Sequence, residues 1–174
     1  MMIRSKINTS LTIDYLTNTP ENLYLDRKRA KCLDDIDVYA WAVAANALNP
    51  IPGVDVSFDL AAFYKMAQEI RETFGLDETV IEKYMTVLGP VGKKLADEVL
   101  AYLTKEGIMW VIKQVAGQYA KKQFAKYIPF VGQAVAACAG FAMTKTLGTY
   151  YIDNCFELAK EILEYEVMNN KDKM

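Results

Sequence analysis

The stretch that decides the fold is Asn49-Pro50-Ile51-Pro52-Gly53-Val54-Asp55, which lies between two apolar segments. Proline lacks a backbone N–H and restricts the residue before it, so Asn49-Pro50 predicts the end of one helix. Proline is tolerated in the first turn of a helix, where an acidic side chain interacts favourably with the helix dipole. Pro52 to Asp55 therefore predicts the start of the next helix, and the block as a whole predicts a tight corner.

Apolar residues recur at helical spacing on both sides of this corner. The upstream helix is predicted to begin at Thr19-Pro20-Glu21, where threonine is a favoured N-cap, and to run to Leu48. The downstream helix is predicted to end at Gly75, because glycine is a common C-terminal stop. The apolar positions are Leu23, Ala30, Leu33, Ile36, Ala40 and Ala44 upstream, and Val56, Phe63, Met66, Ala67, Ile70 and Phe74 downstream.

The rest of the chain also shows helix signals, and strand signals are nearly absent. Asp77 is expected to cap a helix that Gly89-Pro90 ends, and residues 131–168 are expected to form one helix or two that meet at Gly148. Further helices are expected over about 10–17, 91–106 and 108–127. Short connections favour antiparallel neighbours.

The predicted fold is therefore all-α, a compact bundle of about six to eight helices. We expect one helical domain over residues 1–174, with an ordered core over about 10–168 and a frayed tail at 169–174.

Composition limits the function. The chain has 174 residues, 52% of them hydrophobic and 24% charged, which suits one domain with a buried core. A net charge of −2 argues against nucleic-acid binding, which usually needs a basic surface.

The chain has no histidine, the commonest general base and metal ligand. The three cysteines, at positions 32, 138 and 155, are far apart in the sequence. This pattern is typical of reduced, structural thiols in a cytosolic protein. Residues 1–10 show no apolar signal core, so we expect a cytoplasmic protein. We also expect no cofactor.

No motif indicates catalysis. Gly89-Pro90-Val91-Gly92-Lys93-Lys94 comes nearest to a phosphate-binding P-loop, but its spacing differs and lysine replaces the required Ser or Thr. We expect a glycine-proline turn before a helix instead. Asp34, Asp35 and Asp37 are expected on a solvated helix face, since carboxylate catalysis would need a second acid brought near by the fold. We therefore expect no enzyme activity and assign no catalytic or metal-binding residue.

Asp59 lies in the middle of the apolar stripe that follows the corner, one turn after Asp55. An unpaired carboxylate in such a place would be costly to bury. We expect Asp59 to stabilise the corner, through backbone hydrogen bonds or a salt bridge to Arg27, Lys28 or Arg29; a ligand or metal role is the alternative. The predicted structural corner comprises Asn49, Pro50, Pro52, Gly53, Asp55 and Asp59.

Two uncharged stretches, 38–54 and 127–144, raise the question of a membrane. The second has the length of a spanning helix, but prolines interrupt both, and we expect buried bundle helices. Gly132, Ala136 and Gly140 recur at every fourth position, which favours close helix packing. Before the second stretch lies a basic, aromatic segment that suits a solvated face, an anionic membrane surface or a partner; its contact residues are Trp110, Lys113, Lys121, Lys122, Phe124 and Lys126.

The corner and its surroundings resemble the helical region of the immunity-related (interferon-inducible) GTPases. The residues that carry the resemblance are Asn49 to Asp55, Asp59 and Phe74-Gly75-Leu76-Asp77. A weaker likeness at 14–29 and 126–132 extends it over most of 10–165. A related Pro-Ile-Pro corner occurs in bacterial membrane-associated proteins, behind Era-like GTPase domains.

This resemblance implies the helical C-terminal part of such a GTPase. The GTPase domain with its P-loop is absent, so GTP hydrolysis is not expected of this chain. The implied function is a non-catalytic module that contacts a GTPase domain in cis or in trans, with homo-oligomerisation and peripheral membrane contact left open. The alternative function is a membrane-active protein that inserts residues 108–147 as an apolar hairpin.

Overall fold

The structure, a computed structural model, describes residues 20–48, 55–102, 104, 106–107 and 132–171. They form five helices, fewer than expected, and contain no strand, so the all-α class is confirmed. The helices expected over 10–17 and 108–127 lie outside the described residues. The helices are α1 (Pro20–Leu48), α2 (Asp55–Phe74), α3 (Glu78–Met85), α4 (Pro90–Ala101) and α5 (Gly132–Lys171).

Helix α1 runs from Pro20 to Leu48, as predicted. Its predicted apolar stripe is wrong in the first half, where Leu23 and Ala30 are exposed. Leu25 and Cys32 are buried instead. The reason is the direction from which α2 and α5 pack, which sequence spacing does not reveal. From Ile36 onward the buried residues follow the predicted stripe.

Helix α2 buries its predicted residues from Phe63 to Phe74 and ends as predicted at Gly75. Gly75 has a positive φ of 72°, a conformation that costs residues with a Cβ atom. Its N–H donates to the Glu72 carbonyl, and the Leu76 N–H donates to the Arg71 carbonyl. These two bonds form a Schellman motif, which satisfies carbonyls that the end of the helix would leave open.

Helix α3 starts at the predicted cap, where the Asp77 carboxylate accepts a hydrogen bond of 2.8 Å from the Val80 N–H. A hydrogen bond from the Thr79 hydroxyl, together with the bond from Val80, holds the pKa of Asp77 below its usual value. Helix α4 begins at Pro90 after a glycine-proline turn, also as predicted. A Cβ at Gly92 would lie 2.9 Å from Leu88 Cβ, so this glycine serves packing.

Helix α4 ends at Ala101, and the predicted end near residue 106 is wrong. The Thr104 backbone N–H and hydroxyl both donate to the Ala101 carbonyl, and the Gly107 N–H donates to the Thr104 hydroxyl. Threonine side chains offer the backbone such alternatives to helical bonds, which explains the stop.

Helix α5 is one continuous helix from Gly132 to Lys171, which settles the choice between one helix and two. Gly148 is not a break. A Cβ there would lie 3.0 Å from Ile36 Cγ2 and 3.2 Å from Met66 Sδ, so glycine allows α1, α2 and α5 to approach closely. The tail predicted at 169–174 is helical as far as Lys171, and residues 172–174 lie outside the described ranges.

Helices α1 and α5 lie antiparallel, and α5 also packs on α2 and α4. Two ion pairs fix the direction, since Arg29 binds Asp153 at 2.7 Å and Lys145 binds Asp37 at 2.6 Å. The core between them and α2 is apolar and includes Ile36, Met66, Leu147, Tyr151, Ile152, Cys155 and Leu158. Among the described helices, none combines the length and apolar character needed to cross a membrane.

Candidate interaction site

Most residues predicted to carry function lie outside the described part of the chain. These are the corner residues Asn49, Pro50, Pro52 and Gly53, and the basic, aromatic residues Trp110, Lys113, Lys121, Lys122, Phe124 and Lys126. Helix α2 begins at Asp55, as predicted, and includes Asp59, but the side chains of both lie outside the described part.

The predicted role of Asp59 stays a prediction, although two of its three expected partner cations have other contacts. The Arg29 guanidinium donates twice to Asp153 Oδ1, at 2.7 and 3.0 Å. The Lys28 ammonium lies 4.6 Å from the centre of the Tyr24 ring. The carboxylates of the predicted acidic face also have partners, because Asp37 pairs with Lys145 and Asp35 lies 3.8 Å from Lys31.

One end of the α1–α5 pair is uncharged. Residues 38–48 of α1 and 132–144 of α5 contain no Asp, Glu, Lys or Arg. Because the helices are antiparallel, these stretches lie side by side, and a Cβ at Gly140 would be 3.1 Å from Val43 Cγ1. The close packing predicted from Gly132, Ala136 and Gly140 is confirmed at Gly140. The side chain of Ala136 lies outside the described set, and Gly132 is described as the first residue of α5.

Trp41 lies at this end and is 67% exposed. Its ring contacts that of Phe141 on α5, with centroids 4.9 Å apart. Val38, one turn earlier on α1, is 70% exposed. We call the surface formed by these three residues, together with the exposed Ala42 and Ala45, the aromatic face. Large exposed apolar groups that adjoin one another commonly mark an interaction surface.

The aromatic face corrects the expectation that 38–54 is a buried helix, at least over its described part. Ala40, Val43 and Ala44 are buried, but they lie on one side of α1. A single helix face suffices to pack on α2 and α5, so the other side stays outside. The spacing of Val38, Trp41 and Ala45 was the available sequence signal, because it forms a second apolar stripe.

A second candidate site lies near the opposite end of α1. It is an open cleft of about 230 Å³ between α1, α5 and the turn that joins α2 to α3. Glu166, at its edge, is the one charged residue among the described residues that line it. We call this site the acidic cleft; the other lining residues are Tyr24, Leu25, Phe74, Gly75, Leu76, Val80, Ala159, Ile162 and Leu163.

Glu166 binds the end of α5 to α3, because the Tyr84 hydroxyl donates a short hydrogen bond to Glu166 Oε1. This bond to a carboxylate is the main reason that the pKa of Tyr84 is raised. Within the described ranges Glu166 forms no salt bridge. Sequence spacing does not single out Glu166 and Tyr24, because they are adjacent only after α1, α3 and α5 have packed.

The described core also contains polar and ionisable groups. Burial raises the pKa of the Cys155 thiol strongly and that of Cys32 as well, which keeps both protonated and poorly nucleophilic. All three cysteines are free, as predicted, although Cys138 is exposed. The described residues include no group of three acids or cysteines placed to hold a metal ion.

Arg71 is the unusual polar residue of this core. Among the described residues, its buried Nε and Nη1 atoms have no hydrogen-bond partner, and the buried Tyr102 hydroxyl has none either. The Tyr102 ring packs on Tyr151, with centroids 4.2 Å apart, while the Tyr151 hydroxyl donates to the Val99 carbonyl. Buried polar groups usually have hydrogen-bond partners, so we expect Arg71 to lower the free energy of unfolding.

Comparison with known families shows which family the chain belongs to. Residues 14–166 match a family described as a domain of unknown function (DUF697), and the chain belongs to this family. No curated protein and no solved structure matches the chain.

Proposed function

We propose that this domain is a non-catalytic interaction module and that its aromatic face binds a partner protein. The observation that carries the proposal is Trp41, a large apolar side chain left two-thirds exposed and supported by Phe141. Helix packing gives no reason for this exposure. Burying Trp41 and Val38 against a partner would remove apolar surface from water and so favour association.

The composition of the face supports this role. Binding energy at protein interfaces concentrates in a few residues, among which tryptophan is enriched. The centre of an interface is usually depleted of charge, and residues 38–48 and 132–144 contain none. Contact with Phe141 orients the Trp41 ring before binding, which lowers the entropy lost on association.

A GTPase domain, in the same chain or encoded separately, is the partner we propose. Its support is the resemblance of Asn49 to Asp55 and of Phe74 to Asp77 to the helical region of the immunity-related GTPases. We place the module in the cytoplasm. Self-association and peripheral membrane contact through Trp110 and Lys113 to Lys126 are further parts of the proposal.

Copurification with the GTPase encoded in or beside the same gene tests the proposal. We expect a complex, and we expect Trp41→Ala to weaken it by at least about tenfold, the effect of losing one central interface residue. Tyr64→Ala is the matched control, since Tyr64 is a similarly exposed aromatic residue on α2. A complex that tolerates Trp41→Ala as well as Tyr64→Ala would refute the role of the aromatic face.

The second candidate function is membrane insertion of residues 108–147. The part from Gly132 to Leu147 belongs to α5, where Thr144 and Leu147 are buried and Lys145 pairs with Asp37. Insertion would therefore require α5 to separate from α1 over this length. Flotation with anionic liposomes distinguishes the two functions: binding that resists high salt favours insertion, and absent or salt-sensitive binding favours the interaction module.

A further inference from the structure

The acidic cleft is separate from the aromatic face, and its size excludes most small-molecule ligands. Drug-sized ligands usually occupy pockets of about 300–1,000 Å³. The cleft measures about 230 Å³ and is open to solvent. This volume suits one or two apolar side chains that enter from a peptide or helix lying across the opening.

The walls of the cleft are apolar and rigidly held. Leu25, Phe74, Leu76 and Ile162 line it and are buried members of the core. The Schellman motif at Gly75 fixes the turn between α2 and α3. Tyr24, which is 57% exposed, forms part of the α1 wall. The Lys28 ammonium lies 4.6 Å from the centre of its ring, which leaves the other face of the ring for an incoming side chain. The cleft is thus preformed, and a ligand would spend little free energy on ordering it.

Charge around the cleft indicates what else the ligand carries. Glu166 at the edge accepts one bond from Tyr84, and its other oxygen, Oε2, has no described hydrogen bond. The Lys83 ammonium donates to the Tyr84 hydroxyl at 3.3 Å and so lies on the Oε1 side of Glu166, which leaves Oε2 for a cation of the ligand. The α5 side of the cleft therefore favours a cation.

We propose that the acidic cleft binds a peptide segment of a partner protein, which inserts one apolar side chain beside Tyr24 and pairs a lysine or arginine with Glu166. A helical segment would place the two groups three or four positions apart. Such recognition of an apolar anchor in a groove is a common mode of peptide binding. The proposal assigns the domain a second contact, distinct from the one proposed at the aromatic face.

Selection of displayed random peptides on the full chain tests this inference. We expect peptides that combine an apolar residue with Lys or Arg within one helical turn. Binding of the synthetic peptides, measured by fluorescence anisotropy, should weaken by about fivefold or more in Tyr24→Ala and in Glu166→Gln. Tyr64→Ala and Glu164→Gln, which change residues outside the cleft, should bind as the parent does.

Three outcomes would overturn the proposal. The first is that no selected peptide depends on Tyr24; the second is that the dependent peptides carry no base or tolerate Glu166→Gln. The third is a dimer, seen by light scattering, that Tyr24→Ala dissociates, because the cleft would then hold a second copy. Thermal unfolding of each variant checks that the fold is intact. Trp41→Ala should bind the peptides with the parent's affinity. Failure of the proposal for the acidic cleft is therefore distinguishable from failure of the proposed function of the aromatic face.

Discussion

Gly75 is the residue on which the turn between α2 and α3 depends. Its φ of 72° lies in the left-handed region, where a Cβ atom costs free energy, although nothing lies within 4 Å of the added atom. The same turn forms a wall of the acidic cleft. A backbone requirement at one position therefore shapes a site whose other walls come from distant parts of the chain.

We expect Gly75→Ala to lower the free energy of unfolding by about 1 kcal/mol, from backbone strain alone. Urea denaturation measures this change. Gly75→Asn is the control, because asparagine adopts the left-handed region more readily than alanine and should lose less stability. A similar loss in both variants would show that the left-handed conformation is not the cause.

Arg71 allows a prediction of the opposite sign. Two of its guanidinium nitrogens are buried without a partner, so Arg71→Met, which keeps the length and removes the charge, should raise the free energy of unfolding by about 1 kcal/mol. Arg29→Met is the control, since Arg29 is paired with Asp153. The half-exposed pair is screened by solvent, so its loss should lower stability by at most about 1 kcal/mol. A loss of stability in Arg71→Met would mean that its nitrogens are satisfied in solution.

At the scale of elements, the antiparallel pair of α1 and α5 organises the domain. Gly140 and Gly148 bring α5 close to α1, where a larger residue would collide with Val43 or Ile36. Ion pairs at Arg29–Asp153 and Asp37–Lys145 lie along the same interface. Close packing of small residues thus sets the spacing of the helices, and the charged pairs favour one register.

We expect Gly148→Val to lower the free energy of unfolding by about 2 kcal/mol, because its side chain would press on Ile36 and Met66. The Gly148→Val, Ile36→Ala double variant tests the cause, since it removes the group that the valine meets. Its loss should be smaller than the summed losses of the single variants by at least about 0.5 kcal/mol. Strictly additive losses, measured by urea denaturation, would place the strain elsewhere.

At the scale of the whole molecule, the two candidate sites lie near opposite ends of α1. Trp41 and Tyr24 are 17 positions apart on one helix, which corresponds to about 26 Å. One end is uncharged and presents an aromatic face, and the other presents an apolar cleft beside acids. This difference between the two ends of α1 would allow the module to bind two different partners at the same time.

Sites this far apart, without shared contacts, should be energetically independent. We expect Tyr24→Ala to leave the affinity of the GTPase complex within about twofold of the parent, and Trp41→Ala to leave peptide affinity within the same range. Titration of each single variant with both ligands measures this. Coupling larger than about tenfold would indicate that α1 transmits a change between its ends.

The amino-acid sequence by itself determined where the helices start and where α1 and α2 end, but not the end of α4 or the continuity of α5. Pro20, Asp77, Gly75 and Gly89-Pro90 mark boundaries through local chemistry, namely caps, fixed φ angles and left-handed turns, which act within a few residues and can be read without the fold. The all-α class follows from the same local signals.

Only the tertiary structure decided which apolar side chains remain exposed to solvent and which polar side chains contact one another. Trp41 reads as a core residue until one side of α1 is seen to suffice for packing on α2 and α5. Tyr24, Tyr84 and Glu166 come from three helices, and Tyr24 and Glu166 are more than a hundred residues apart in the chain. Their meeting depends on helix directions and register, which are set by contacts such as Gly148 against Ile36 and are not encoded in local spacing.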